Sequence, residues 1–315
     1  MTTTEQRPTF PGVAAGTIVD TMVQVYVGPN GSNAPIPRES FRDAASLDAW
    51  PTMALVRYLF RGAGSARMDQ AGELAAVVSM LDEWGVDIGI VPVSNDEAEA
   101  VLEQLSRFGE RFAAAVRVNP HTGMEAVRRL EALTRAFPVV KACAITPHFL
   151  WPPLPPNSKE CYPIYAKCVE LGLPVCINVG IPGPRVPGDC QNPMHLDEVC
   201  WFFPELTVVM KHGGEPWADV CVKLMLKWPN LFYTTSGFAP RYYPREIVEY
   251  ANTRGGDRIL YAGYFPMLGY DDVFLQLPSV PFRDHVWPRF LGENARRVFG
   301  LGRSANAERD AVLDG

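Results

Sequence analysis

One histidine followed by a pair of glycines is the feature of this sequence that most suggests chemistry. His212 stands in the segment KHGGEPW, residues 211–217, directly after the apolar run LTVVMK. An imidazole titrates near neutral pH and can exchange a proton without help from a metal. Gly213 and Gly214 would let a ligand approach the backbone and would present N–H groups to developing charge. The pattern predicts a proton-transfer role for His212, with a purely structural histidine as the alternative.

A lysine inside an apolar run is the second such feature. Lys141 interrupts the run VVKACAI, residues 139–145, and burial of an unpaired ammonium is costly. It must either reach an open site or pair with an acid such as Asp20 or Glu215. In an open site, desolvation would lower its pKa and suit it to act as a base, a Schiff-base amine or a carboxylate anchor. The catalytic and the ion-pair interpretations are equally open.

Three further polar side chains follow other apolar runs. Tyr264 in RILYAGYFP has a phenol that could donate a hydrogen bond to an oxyanion, which gives it a candidate catalytic role. Gln24 and Asn178 carry amides that could orient a neutral polar substrate. The alternative is that these side chains satisfy one another's hydrogen bonds.

Two proline-stiffened loops add candidate substrate-binding residues. The loop PHFLWPPLPPNS begins at Pro147 and contains His148 and Trp151. His148 could reach the pocket and Trp151 could form part of its wall. Arg185, in the loop IPGPRVPGDCQNP, is a candidate clamp for a substrate carboxylate. Solvated or packing roles are the alternative for all three.

These residues need a scaffold that brings the ends of many strands together. Eight β-branched apolar runs alternate with amphipathic helical stretches, as parallel strands with helical crossovers do. The runs are TIVDTMVQVYV, DIGIVPV, FAAAVRV, VVKACAI, PVCINV, LTVVMK, LFYTTS and RILYAG. The pattern predicts an α/β fold, a (β/α)₈ TIM barrel with one domain over residues 1–315. The long loops, including the stretch from Gly28 to about Met68, should lie on its C-terminal face, where barrels build their sites.

The order and spacing of several short motifs carry a resemblance. They are GERFAAAVRVNP, PIYAKCVELGLPVCINVG, FPELTVVMKHGGEPW, NLFYTTSG, RILYAGYFP and ENARRVFG. Over roughly residues 17–300 the chain resembles the amidohydrolase-related family of the amidohydrolase superfamily. The resemblance implies hydrolysis or nonoxidative C–C cleavage, such as decarboxylation, of a small carboxylated or aromatic compound. It also places His212 at the family's catalytic histidine.

The chain differs from the family at the positions that bind the family's divalent metal. The family's first strand ends in Asp-x-His-x-His, but here Met22 and Gln24 stand at the two histidine positions after Asp20. Asn178 replaces the fifth-strand histidine and Tyr264 replaces the eighth-strand aspartate. Thioether, amide and phenol are poor ligands for such an ion. We therefore predict no metal and no other cofactor, and assign Met22 to substrate binding instead.

Composition excludes several other classes of function. Of 315 residues 47% are hydrophobic and 20% charged, with a formal net charge of −6, and no basic stripe is present for nucleic acid. No apolar run is long enough to span a bilayer and the start MTTTEQRP is unlike a signal peptide, so we expect a soluble, cytoplasmic protein without nucleic-acid or membrane partners. The seven cysteines include no CxxC pair and read as reduced thiols.

Two functions remain open at this level. The first is a metal-independent enzyme that acts on a small molecule, with Lys141 or Arg185 holding an anion. The second is a non-catalytic subunit that pairs with a metal-bearing paralogue. The expected assembly is accordingly a homo-oligomer or a hetero-oligomer with that paralogue.

Overall fold

The computed structural model describes residues 7–25, 36–48, 74–94 and 98–302. Within these ranges eight parallel strands form one sheet in chain order. The strands are β1 Ile18–Asp20, β2 Val86–Val93, β3 Phe112–Arg117, β4 Val140–Ile145, β5 Val175–Asn178, β6 Val208–Lys211, β7 Leu231–Thr234 and β8 Ile259–Leu260. This confirms the predicted (β/α)₈ barrel and each of its eight strands.

Helices separate successive strands and cover the outside of the barrel. The α-helices of the described residues are α1 Ala44–Asp48, α2 Leu74–Trp84, α3 Ala98–Ser106, α4 Met124–Ala136, α5 Tyr162–Leu171, α6 His195–Phe202, α7 Ala218–Lys227, α8 Arg245–Thr253, α9 Tyr270–Gln276 and α10 Asn294–Phe299. Helix α4 shows why these segments are helical: its buried residues Ala126, Val127, Leu130 and Leu133 recur every three or four positions, so they form one stripe that packs on the sheet.

Strand side chains alternate between the two faces of the barrel wall. On β3, Ala113 and Ala115 belong to the cluster that fills the barrel interior. Ala114 and Val116 point the other way, into the layer between the sheet and the helices. The two-residue period of a strand therefore decides which side chains can enter the barrel.

The barrel closes where the chain after β8 meets the chain around β1. The N–H of Thr21 donates to the carbonyl of Tyr261 at 3.1 Å, and the N–H of Gln24 donates to the carbonyl of Phe265 at 2.7 Å. Val23 and Phe265 form a parallel bridge between these bonds. These contacts between residues 21–24 and residues 261–265 form the seam of the barrel. The seam extends past the ends of β1 and β8, so the residues that follow the two strands are held side by side.

A buried carboxyl group holds this seam together. Asp20, fully buried, accepts hydrogen bonds from the N–H groups of Met22 at 2.9 Å and Gly263 at 2.8 Å, and from the hydroxyl of Tyr270 at 2.8 Å. Burial raises the pKa of Asp20 to about 7, against the effect of these donors and of the charge on Lys211. A Cβ at position 263 would lie 2.5 Å from an Asp20 oxygen, so only glycine fits there.

Three expectations concern the rest of the chain. All seven cysteines are free and buried, as predicted, and burial raises the pKa of Cys176 to about 12, which argues against a reactive thiolate. Among the described residues, no helix has both the length and the apolarity needed to cross a bilayer. The predicted long loop from Gly28 to about Met68 lies largely outside the described residues.

Asp20 provides a test of the seam. Because its pKa is higher in the folded chain than the ordinary 3.8, the folded chain holds this proton more tightly between pH 4 and 7. Its contribution to stability is complete below about pH 4 and is lost as pH rises through about 7. We expect the free energy of unfolding of the parent, measured against that of the Asp20→Asn variant in urea, to fall by about 4 kcal/mol over this window.

The Asn variant keeps an acceptor for the backbone N–H groups and cannot ionise. Asp20→Ala leaves all three donors without their partner and should cost about 3–5 kcal/mol at pH 4. Its difference from the parent should shrink toward pH 7, because the parent itself loses stability as Asp20 ionises. Parallel pH curves for the parent and Asp20→Asn would show that Asp20 is not the titrating group.

Candidate active site

Three inward-facing side chains form a polar layer at the carboxyl ends of the strands. Each stands two residues after a member of the inner core and so points the same way: Arg117 after Ala115, Asn178 after Cys176, and Lys211 after Val209. Asn178 pairs with Lys211 in the register of β5 and β6. The barrel interior therefore changes from apolar to polar and cationic at its mouth.

His212 and Tyr264 face each other above this layer. Their ring centroids are 5.3 Å apart with the planes at 84°. Both have left-handed backbone, with φ of 68° and 63°, and they are the only non-glycine residues with positive φ among those described. Left-handed backbone costs a residue that has a Cβ atom about 1–3 kcal/mol, and such strain concentrates at functional sites. The structure thus brings these two candidate residues into contact at the mouth.

A buried serine fixes the histidine ring. Ser236 follows β7; its Oγ accepts the backbone N–H of His212 at 2.9 Å and lies 3.1 Å from the ring Nδ1. It also lies 3.1 Å from Oγ1 of Thr234, which donates to the carbonyl of Met210 at 3.3 Å. All four contacts are satisfied only if Ser236 donates to Thr234 and accepts from Nδ1–H. We therefore assign the proton to Nδ1, which leaves the Nε2 lone pair of His212 available as a base.

A second histidine at the mouth is held in the same tautomer. His148 is buried, and its Nδ1 lies 2.6 Å from Oε1 of Gln191, whose Nε2 donates to the carbonyl of Gly180 at 2.7 Å. The amide must therefore accept from Nδ1–H of His148. Burial lowers the pKa of His148 to about 4, although the Gln191 hydrogen bond opposes the shift.

Burial and nearby positive charge keep His212 neutral. Desolvation lowers its pKa well below the ordinary 6.5, and the charges of Lys211 and Arg117 lower it further. The guanidinium of Arg117 lies over the ring of Phe149, 5.1 Å from its centroid, and burial lowers the pKa of Arg117 to about 10. At neutral pH the mouth therefore combines two neutral imidazoles with two cations.

Lys211 was not among the predicted site residues, yet it is the lysine at the mouth. Its ammonium is buried and donates to the sulfur of Met22 at 3.0 Å. Burial lowers its pKa to about 8; Cys176 and Asp20 act against this shift and Arg117 adds to it. Met22 is thus placed in the site, but as the neighbour of a protein cation.

Lys141 lies at the other end of the barrel, so its predicted place at the mouth was wrong. It is the second residue of β4, and the register with β3 skips it. It lines a cavity of about 340 Å³ at the amino-terminal end of the strands, together with Phe112 and Leu301. The physical reason is position within the strand: the carboxyl end of β4 is at Ile145.

The remaining candidates divide into buried and exposed residues. Gln24 and Asn178 are buried, at the carboxyl ends of β1 and β5. Trp151 is 51% exposed and Arg185 is exposed on its loop. Neither forms part of the buried cluster, and their roles in substrate binding stay predictions.

The glycine pair after His212 has a packing explanation. A Cβ on Gly213 would lie 2.0 Å from the ring of Phe238, and one on Gly214 would lie 2.6 Å from the sulfur of Cys221. Both also have positive φ, 78° and 69°. Close packing and left-handed backbone therefore account for these glycines without a ligand.

Sequence reasoning missed four residues of the site: Arg117, Gln191, Lys211 and Ser236. Two of them carried a signal, because Arg117 and Lys211 end the runs FAAAVR and VVMK and so had to lie at the mouth. Ser236 and Gln191 act through contacts between separate segments, which no local pattern reveals.

Comparisons with known proteins identify the family of the chain and agree with its fold. The model of the amidohydrolase family matches residues 32–301, which is most of the chain, so the chain belongs to the amidohydrolase family. The match supports the prediction of an enzyme of the hydrolase or carbon–carbon lyase kind. Comparison with curated proteins gives no match. Among the described residues, no group of three or more His, Cys, Asp or Glu side chains is arranged to hold a metal ion.

Solved structures share the fold at low sequence identity. An uncharacterised TIM-barrel protein of Bordetella bronchiseptica is 20% identical, with a TM-score of 0.72, covering 90% of this chain and 98% of its own. A 5-carboxyvanillate decarboxylase of Novosphingobium aromaticivorans, complexed with manganese and a nitrobenzoic acid, is 15% identical, with a TM-score of 0.69 and coverage of 96% and 100%. A probable 2-pyrone-4,6-dicarboxylic acid hydrolase of Acinetobacter baumannii is 14% identical, with a TM-score of 0.62 and coverage of 90% and 99%.

The hydrogen bonds of Ser236 predict which tautomer the His212 ring adopts. In the parent at pH 7, the ring nitrogens should show the ¹⁵N NMR shifts of a neutral Nδ1–H tautomer. Ser236→Ala removes the acceptor for that proton, so we expect a shift toward the Nε2–H tautomer and a stability loss of about 1–3 kcal/mol from the unsatisfied backbone N–H. Ser236→Thr keeps the hydroxyl and should restore the parental signals. An Nε2–H tautomer in the parent would contradict the assignment.

Proposed function

We propose that this protein is a metal-independent member of the amidohydrolase family that hydrolyses, or cleaves a carbon–carbon bond in, a small carboxylated or aromatic compound. The observation that carries the proposal is the contact of His212 with Tyr264, both on left-handed backbone at the mouth. Two strained residues held face to face are the arrangement expected of a preorganised active site.

The family's divalent metal fits poorly at this mouth. Met22 stands at one of the positions that would bind the metal. Its sulfur already accepts a hydrogen bond from the Lys211 ammonium at 3.0 Å. Asn178 and Tyr264 contribute an amide and a phenol, and neither is a strong ligand. An ammonium beside the ion would add repulsion. We therefore derive the chemistry from the side chains that are present.

His212 is the proton-transfer group of the proposed reaction. Its Nε2 lone pair would take a proton from water in a hydrolysis, or from an acidic group of the substrate before C–C cleavage. The resulting imidazolium would return the proton to the leaving group or to the carbon that loses its substituent. The low pKa of His212 makes it a weak base in the free enzyme, and an anionic substrate would raise that pKa.

Tyr264 and the cations supply charge stabilisation. The phenol of Tyr264 would donate to an oxygen that gains negative charge, next to the group that moves the proton. Arg117 keeps its charge at neutral pH although burial lowers its pKa to about 10, so it adds positive potential to the mouth. This electrostatic environment favours an anionic substrate over a neutral one.

The test is a panel of small aromatic and dicarboxylic acids, lactones and amides, assayed for loss of substrate and for release of carbon dioxide. Once a substrate is found, His212→Asn should lower kcat by about 10²–10⁴-fold. Asparagine tolerates left-handed backbone, so this variant should fold. The acid limb of kcat/KM in the parent should lie below pH 6.5, because burial lowers the pKa of His212.

Tyr264→Phe is the matched variant for charge stabilisation, because it keeps the ring and removes only the hydroxyl. We expect a smaller fall in kcat with little change in KM. Rates of folded His212→Asn within a few-fold of the parent would contradict the proposal. Activity that appears only together with a metal-bearing paralogue would favour the non-catalytic subunit instead.

A further inference from the structure

The ammonium of Lys211 is buried with one weak acceptor. It is 5% exposed, and the sulfur of Met22 is the one hydrogen-bond partner that the described residues give it. A thioether accepts hydrogen bonds poorly, and an ammonium has three N–H groups to donate. Burying a cation in this state is costly unless an anion compensates it.

The nearest acid does not provide that compensation. Asp20 influences the pKa of Lys211, but its oxygens already accept from Met22, Gly263 and Tyr270, and it forms no salt bridge with Lys211. Burial also raises the pKa of Asp20 to about 7, so at pH 7 this carboxyl group carries only about half of a negative charge. The unmatched charge is therefore that of Lys211.

A second cation reinforces the same part of the mouth. Arg117 and Lys211 point inward from β3 and β6, and the charge of Arg117 adds to the effect of burial in lowering the pKa of Lys211. The imidazoles of His148 and His212 are neutral there, as their lowered pKa values require. Lys211 therefore lies in a part of the mouth where positive potential attracts an anion.

We propose that Lys211 is the anchor for a substrate carboxylate, which accepts hydrogen bonds from its ammonium beside Met22 and Asn178. The inference rests on the proposed function and narrows its substrate class. An ammonium stabilises a bound carboxylate and so opposes its departure as carbon dioxide. The carboxylate at Lys211 is accordingly the anchoring group, and the substrate carries its reacting group elsewhere, toward His212 and Tyr264.

The test measures binding and needs no turnover. Benzoate and its neutral analogue benzamide are titrated at pH 7 into the parent, Lys211→Met and Lys141→Met by isothermal titration calorimetry. Benzoate should bind the parent and lose at least tenfold in affinity with Lys211→Met, because the charge is gone and the stem remains. Lys141→Met serves as the matched control at the far end of the barrel and should bind benzoate as the parent does. Benzamide should bind weakly and equally to all three.

Removing an uncompensated buried charge should leave Lys211→Met folded, since methionine fills the same space. Lys211→Gln keeps a donor without the charge and provides a second variant. Equal affinity of the parent and a folded Lys211 variant for benzoate, or no binding of benzoate to the parent at millimolar concentration, would overturn the inference. The His212→Asn variant should still bind benzoate, so a failed anchor and a failed proposed reaction give different results.

Discussion

The Asp20 carboxyl group is the interaction on which the site depends. It joins the residues after β1 to those after β8 through the N–H groups of Met22 and Gly263. Met22 contacts Lys211, and Gly263 precedes Tyr264. One buried group therefore closes the barrel and sets the position of both sides of its mouth. The absence of a side chain at Gly263 is what allows this close approach.

Backbone strain and hydrogen bonding together preorganise the rings of His212 and Tyr264. The left-handed backbone at His212 and Tyr264 turns the two rings toward each other, and the surrounding packing holds this conformation. Ser236 then fixes the rotation and tautomer of the His212 ring. A catalytic group that is held in place before the substrate binds loses little entropy in the reaction.

Most of the fold could be predicted from the sequence, because barrel strands buried on both faces are short apolar runs and their crossovers are amphipathic helices. The runs located all eight strands, although β1 and β8 are shorter than the runs that contain them. The site was harder to predict. Lys141 was misplaced because an apolar run does not show which of its residues lies at the carboxyl end, whereas Lys211 stood beside the histidine already chosen. Ser236 and Gln191 could not be found, since their partners are 24 and 43 residues away in the chain.

The most direct test of the account is the turnover of metal-free protein. The protein is treated with a strong chelator, its metal content is measured by plasma emission spectrometry, and a substrate from the panel is then assayed with and without added zinc or manganese. We predict full activity at far less than one metal ion per chain, with no gain on adding either ion. Loss of activity on chelation, restored by one equivalent of metal, would contradict the claim that Lys211, His212 and Tyr264 form a metal-independent site.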